Sequence, residues 1–198
     1  MAGRAPERLI APLVLRPDGS REDNAQREPG SLALLTHALV PGTALPNFLA
    51  TRAEPWRAHS PDEVGWAVAS CLLAPTELFQ RLGPFDEGAF MYAEDLELGL
   101  RARRAGVPTV FWPAARVMHS GGHSARRVFG GEPFELLAGR RRSVVREQRG
   151  AGRARVDDLL QALTFADRLV LKRLARRPAE RERRQLSALL HSRLDGRR

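Results

Sequence analysis

Apolar positions fall into a few runs separated by polar, proline-rich stretches, and the spacing within each run predicts its element. Leu9 to Leu15 is an apolar run of strand length, closed by Arg16-Pro17-Asp18-Gly19, a turn in which Pro supplies a fixed φ and Gly a permissive one. From Ser20 to His59 the chain is polar and Pro-rich, which predicts a surface-crossing connection with one short helix over Leu32 to Val40. Trp66 to Ala74 predicts a buried strand, and Pro75 in a first-turn position opens a short helix through Leu82 that Gly83 closes. A loop from Pro84 to Ala93 carries the only Tyr. Between Asp95 and Ala105, the positions Asp95, Leu98, Gly99, Ala102 and Ala105 recur at helical spacing, with Leu96 and Leu100 as an adjacent stripe and Gly106 as a stop. Val107 to Trp112 and Arg116 to His119 read as two short extended pieces divided by Pro113. The alternation of strand and helix predicts an α/β fold.

Past a Gly/Ser loop at Ser120 to Ser124, the pattern turns helical and basic. Pro133 to Arg149 predicts one helix, and Asp157 to Arg176 a second, amphipathic one with Leu159, Leu160, Leu163, Ala166, Val170, Leu171 and Leu174 on one face and cations near its C-terminal end. The expected organisation is one domain over residues 1–150, with its core at 64–124, followed by a basic helical tail over 151–198.

Composition narrows the function classes only partly. At 198 residues and 43% hydrophobic content the chain can bury one core. Its formal charge of +9, carried almost wholly by Arg, favours polyanionic partners without choosing among nucleic acid, anionic lipid and phosphorylated substrates. The basic stretches Arg140 to Arg155 and Arg173 to Arg184 lack aromatic residues for base stacking, which argues against nucleic acid. No apolar stretch approaches the length of a membrane span, and the N-terminus lacks the features of a signal peptide. The single cysteine, Cys71, is expected as a reduced, buried thiol, in keeping with a cytoplasmic protein or one held peripherally on the inner face of the cell membrane.

Five carboxylates, Asp86, Glu87, Glu94, Asp95 and Glu97, crowd one segment. A carboxylate at a loop-to-helix junction is held rigidly enough to serve as a general base, but spacing alone favours Asp95 as a plain N-cap. Read as a block, Val64 to Ser124 resembles the second half of the inverting, nucleotide-sugar-dependent family-two glycosyltransferases of GT-A fold, near their rhamnosyltransferase-like branch. The matching features run in order: Trp66 with Ala69-Ser70-Cys71-Leu72-Leu73; Gly83 with Phe85-Asp86-Glu87; Phe90-Met91-Tyr92-Ala93-Glu94-Asp95; Leu98 and Arg101; Arg104-Ala105-Gly106; Pro113; and His119 before a Gly/Ser loop. Pro17-Asp18-Gly19-Ser20 and Arg141-Arg142-Ser143 extend the resemblance to about residues 8–150.

That resemblance implies a partial, Rossmann-like GT-A domain with a C-terminal helical extension. It assigns Asp95 as the base that deprotonates an acceptor hydroxyl, with Glu94 orienting it or touching the acceptor, while the leaving diphosphate is stabilised by a cation rather than protonated. It implies that His119 completes the coordination of a divalent cation, Mg2+ or Mn2+, held by the donor diphosphate. Trp66 and Tyr92 are candidate faces for a sugar ring, against a plain core role, and Arg126 and Arg127 candidate diphosphate contacts, against a solvated loop. His119 and His123 do not form a zinc-protease pair, because Gly121-Gly122 lies between them and no Glu follows His119. The implied partners are a nucleotide-sugar donor and a glycan or lipid-linked acceptor. An Asp-x-Asp motif is absent from any suitable place: Glu22-Asp23 lies in a polar loop and Asp157-Asp158 beyond the base. The expectation is therefore an acceptor-side half that lacks most of the nucleotide-binding half, with truncation, a misplaced start or a separate donor-half polypeptide as the explanations left open. The alternatives are a noncatalytic basic module for nucleic acid or for a membrane surface. For the tail alone, residues 157–176 are expected either to lie on an anionic membrane or to pack on the domain.

Overall fold

The computed structural model describes residues 7–40, 46–83, 85, 92–121 and 127–195. The predicted first strand is β1 (Leu9–Leu15), with five of its seven residues buried between neighbours on both faces. It forms a mixed sheet in the order β1, β5 (Thr109–Met118), β3 (Asp62–Val64), with β1 and β5 parallel and β3 antiparallel to β5. A second sheet pairs β2 (Ala25–Gln26) with β4 (Trp66–Ala67) in antiparallel fashion.

Two expected extended pieces thus become one strand. Thr109 to Trp112 pairs with Leu9 to Pro12, and Arg116 to Met118 pairs with Leu13 to Leu15, so Pro113, Ala114 and Ala115 are looped out of the ladder. Pro12 and Pro113 both lack an N–H, and the interruption falls where the ladder cannot be continued.

The expected Trp66 to Ala74 strand is corrected. Only Trp66 and Ala67 pair in a ladder, and Leu73 adds an isolated bridge to Ile10. Between them the backbone leaves the sheet: the Val68 amide donates to the Asn24 carbonyl (2.8 Å) and the Ala69 amide to the Asp95 carboxylate (3.3 Å). Cys71 lies in this departing stretch and is half-buried and free rather than buried. The Ser20 to His59 connection is likewise more ordered than expected. It contains α1 (Leu32–Leu39), as predicted, and also α2 (Asn47–Ala53), and its Asn24 is fully buried, donating from Nδ2 to the Pro12 carbonyl at 2.9 Å.

Helix α3 (Thr76–Leu82) begins one residue after Pro75, whose carbonyl takes the Leu78 and Phe79 amides, and ends at Gly83 with φ of 89°. Helix α4 (Glu94–Arg104) is buried on two sides, which is what its two adjacent apolar stripes demand. Leu98 and Ala102 pack with Leu9, Leu78 and Val107, while Leu96 and Leu100 pack with Val145 and Ala154. Those last two belong to α5 (Phe134–Arg149) and α6 (Ala151–Leu174). Gly99 lets α4 approach β4: a methyl there would sit 2.6 Å from Trp66 Cβ.

Helices α5 and α6 are joined by ion pairs as well as apolar contact. Asp157 is almost wholly buried and takes a bidentate pair of bonds from Arg141 (2.7 and 2.9 Å), together with the Gly30 amide (2.9 Å) and the Gln161 amide group (3.0 Å). Arg142 pairs with Asp158 at 2.8 Å. An unpredicted last helix, α7 (Glu180–Asp195), packs with both through Leu189, whose carbonyl accepts from Arg142. Part of the arginine excess read as attraction for polyanions is therefore internal structure. Among the described residues no helix is long and apolar enough to cross a membrane.

Candidate functional site

The chain reaches α4 through two consecutive residues in the left-handed region, Tyr92 (φ 73°) and Ala93 (φ 65°). Neither is glycine, and each such residue costs of order 1 kcal/mol in backbone strain. Strain at this junction swings the backbone sharply into the helix and leaves Ala93, not Asp95, in the cap position, with the Ala93 carbonyl accepting the Glu97 amide at 2.9 Å. The plain N-cap expectation for Asp95 is thus not met. Its carboxylate does take one first-turn amide, Leu96 at 2.8 Å, but its other oxygen is turned outward to Ala69.

Asp95 sits beside Glu94 at the wall of a cleft of about 560 Å³. Trp66, Tyr92, Glu94, Asp95 and His119 all line it, so five of the seven residues singled out from the sequence converge. Arg127 is exposed and does not line the cleft. Arg126 lies outside the described residues, as do Asp86, Glu87 and His123.

Burial raises the Asp95 pKa to about 6 from an ordinary value of 3.8, and the neighbouring Glu94 charge adds to the rise. The Leu96 and Ala69 amides pull in the opposite direction but do not prevail. A carboxyl poised there is ionised at neutral pH yet basic enough to accept a proton from a sugar hydroxyl. Tyr92, shielded from water and close to Glu132 and Glu94, has its phenol pushed upward and stays protonated as a donor. Two buried polar atoms at the same cleft, Trp66 Nε1 and Glu94 Oε2, lack a hydrogen-bond partner among the described residues. One is a donor and the other an acceptor, which suits a hydroxyl-bearing ligand.

His119 follows β5, and its amide donates to the Leu15 carbonyl at 2.9 Å, which brings it to the turn after β1. There Nδ1 lies 3.1 Å from Glu22 Oε2. A carboxylate only accepts, so the hydrogen bond places the proton on Nδ1 and leaves the Nε2 lone pair free for a ligand. Glu22 reads in the sequence as a polar-loop residue, because its 97-residue separation from His119 hides the pairing. Among the described residues no three His, Cys, Asp or Glu groups converge as a metal cage. The His119 and Glu22 donor set suits a hard divalent cation only if most remaining ligands are oxygens of a bound phosphate or water.

The far wall comes from the C-terminal helices: Phe134, Leu137, Ala138 and Arg141 of α5, Gln161 and Phe165 of α6, and Gln185 of α7. The sequence pattern singled out only Arg141 in this group. Gln161, Phe165 and Gln185 carry no local signal, since their role depends on how three helices fold back over α4.

No family model matches the chain, and no solved structure matches it. Among curated proteins it is similar to the N-acetylglucosaminyl-diphospho-decaprenol L-rhamnosyltransferase of Mycobacterium tuberculosis, with 37% identity over 136 residues, covering 68% of this chain and 43% of that protein. It is also similar to the rhamnosyltransferase WbbL of Escherichia coli strain K12, with 38% identity over 71 residues, covering 36% of this chain and 27% of that protein. The chain spans less than half the length of either relative.

Proposed function

We propose, for a chain that is rhamnosyltransferase-like in sequence over 68% of its length, that it provides the acceptor side of an inverting sugar transferase. The donor is a nucleoside-diphosphate sugar of the rhamnose class, and the acceptor is a hydroxyl of a glycan carried on a lipid diphosphate. Asp95 takes the proton of that hydroxyl as it attacks the anomeric carbon, the anomeric bond to the diphosphate breaks, and the nucleoside diphosphate leaves. Glu94 keeps Asp95 basic through its charge and presents Oε2 to the acceptor ring, while Trp66 Nε1 supplies a complementary donor.

The single observation behind this reading is the position of Asp95, fixed by the Ala69 and Leu96 amides at the wall of the cleft with its pKa raised to about 6. A divalent cation, Mg2+ or Mn2+, would be held by His119, with Glu22 fixing its ring, and would supply charge to stabilise the leaving diphosphate. Arg127 belongs to the diphosphate side only if its exposed guanidinium is brought over the cleft by a bound donor. The sequence carries no Asp-x-Asp motif at a suitable place, so the proposal assigns to this chain the acceptor side alone.

Transfer from a nucleoside-diphospho-rhamnose to a polyprenyl-diphospho-N-acetylglucosamine, followed against pH, tests the reading. The rate should rise as pH passes about 6, and Asp95→Asn should lower it by roughly 10²- to 10⁴-fold while acceptor binding persists. Retained transfer in Asp95→Asn removes Asp95 from the base role.

A further inference from the structure

Helix α6 buries Asp157, Asp158 and Thr164 beside Ala154 and Leu160, whereas Val156, Leu159, Leu163, Val170 and Leu174 are exposed, Leu159 by 54% and Leu174 by 76%. At about 100° per residue those five side chains fall in a sector of roughly 60°, and they extend about 27 Å along the helix. Helix α1 lies alongside: the Gly30 amide just before it bonds to Asp157, and His37 near its end meets Arg168. It too turns leucines outward, Leu32 by 86%, with Leu35 and Leu39 following it. Scattered exposed leucines are ordinary, but five apolar side chains exposed along a single face of α6 mark a docking surface.

The charge around the stripe identifies its occupant. Arg155 and Arg173 lie about 40° from its edge on the same flank of α6, and Arg176 and Arg177 follow its C-terminal end. All four are exposed and hold no ion pair among the described residues, in contrast to Arg141, Arg142 and Arg149, which are paired with Asp157, Asp158 and Glu28. The acid near the stripe is Asp167, at its opposite edge. An apolar face bordered by unpaired guanidinium groups matches an anionic bilayer surface, whose acyl boundary takes the leucines and whose headgroups take the arginines.

We propose that α6 seats the protein on an anionic membrane surface, with the Leu159 and Leu163 face down. The surface stands apart from the sugar-transfer reading, since it uses none of the cleft residues. Gln161 and Phe165, which line the cleft, project from the opposite side of α6. The bilayer and the cleft are then separated by the thickness of one helix.

Flotation of the full chain with sugar-free vesicles tests this without reference to activity. Vesicles of phosphatidylcholine with about one-third phosphatidylglycerol should carry the protein upward, and pure phosphatidylcholine should carry at least about tenfold less. Leu159→Glu with Leu163→Glu should reduce binding by tenfold or more, with circular dichroism and melting unchanged because both sites are exposed. Arg155→Glu with Arg173→Glu should reduce it severalfold and remove most of its salt dependence. Equal flotation of the wild type and the leucine variant would overturn the proposal. So would absence of vesicle binding, and in particular a self-associated wild type that the leucine variant converts to monomer by light scattering, which would assign the face to a second copy.

Discussion

Replacing Asp95 by Asn should stabilise the protein at neutral pH, and by an amount that depends on pH in a defined way. The folded-state pKa of Asp95 is raised to about 6 from 3.8, so folding favours the neutral acid. That contribution is fully present below the unfolded value and is lost as pH rises through about 6, because the native state must then hold a charge that burial and Glu94 disfavour. Integrating the two titrations gives a penalty of about 3 kcal/mol at pH 8 and about 0.5 kcal/mol at pH 4, a difference near 2.4 kcal/mol. Asp95 is partly reached by solvent, and screening lowers the expected difference to about 1 to 2 kcal/mol. Asn does not titrate. It gives up the acceptor for the Ala69 amide, at a cost of about 1 kcal/mol, but that cost is the same at both pH values and cancels in the comparison. The melting temperature of Asp95→Asn minus that of the wild type should therefore increase by about 2 to 8 °C between pH 4 and pH 8. An offset that is flat across this range would refute the raised pKa, and with it the poised base.

The neighbouring charge offers a check on the same reasoning: Glu94→Gln should shift the acid limb of the transfer profile to lower pH, since it removes the second cause of the rise. Glu22→Ala should weaken Mn2+ binding by roughly 10- to 100-fold, measured by calorimetry with a nucleoside diphosphate present, and should move the His119 ring nitrogens away from the Nδ1-protonated pattern in nitrogen-15 spectra. Unchanged spectra would leave Glu22 without a role on His119. Gly99→Ala should destabilise by about 1 to 3 kcal/mol in denaturant, because its methyl would lie 2.6 Å from Trp66 Cβ, and should blunt transfer as Trp66 shifts. Asp157→Ala should cost about 3 to 5 kcal/mol, because it strands the largely buried Arg141 and the Gly30 amide; a smaller loss would show that water reaches the pair.

How far the sequence is legible depends on the distance over which each signal acts. β1, α3, α4 and α5 are written in local periodicity and in their glycine and proline ends, and each stands within a residue or two of its expected bounds. Trp66 to Ala74 misled because an apolar run records burial but not hydrogen-bonding direction, and here the Ala69 amide is taken by a carboxylate 26 residues away. α7 was missed because it is strongly charged, and its burial rests on Leu189 and on Glu182 paired with Lys172 rather than on a continuous stripe. Asp95, Glu94, Tyr92, Trp66 and His119, singled out by their motif order, line one candidate cleft. Gln161 and Gln185 line the same cleft, and Glu22 meets His119, only through tertiary contact, with no local pattern to announce them. The apolar positions of α6 read as one face in the sequence, yet Leu160 is buried while Leu159, Leu163, Val170, Leu171 and Leu174 are exposed, because periodicity does not say which way a face turns.

The three residues looped out of β5 act as a spacer. In the register set by Thr109 to Trp112, an uninterrupted strand would bring Ala115 opposite Leu15; the bulge brings Met118 there instead. His119 thereby stands one step past the end of β1 and meets Glu22 as the chain returns from its turn. Drawing residues 113–115 into a regular ladder would carry the imidazole about 10 Å beyond that partner. A change that improves the sheet would thus dismantle the pair, and the length of this irregularity is a tuning element between the scaffold and its chemistry.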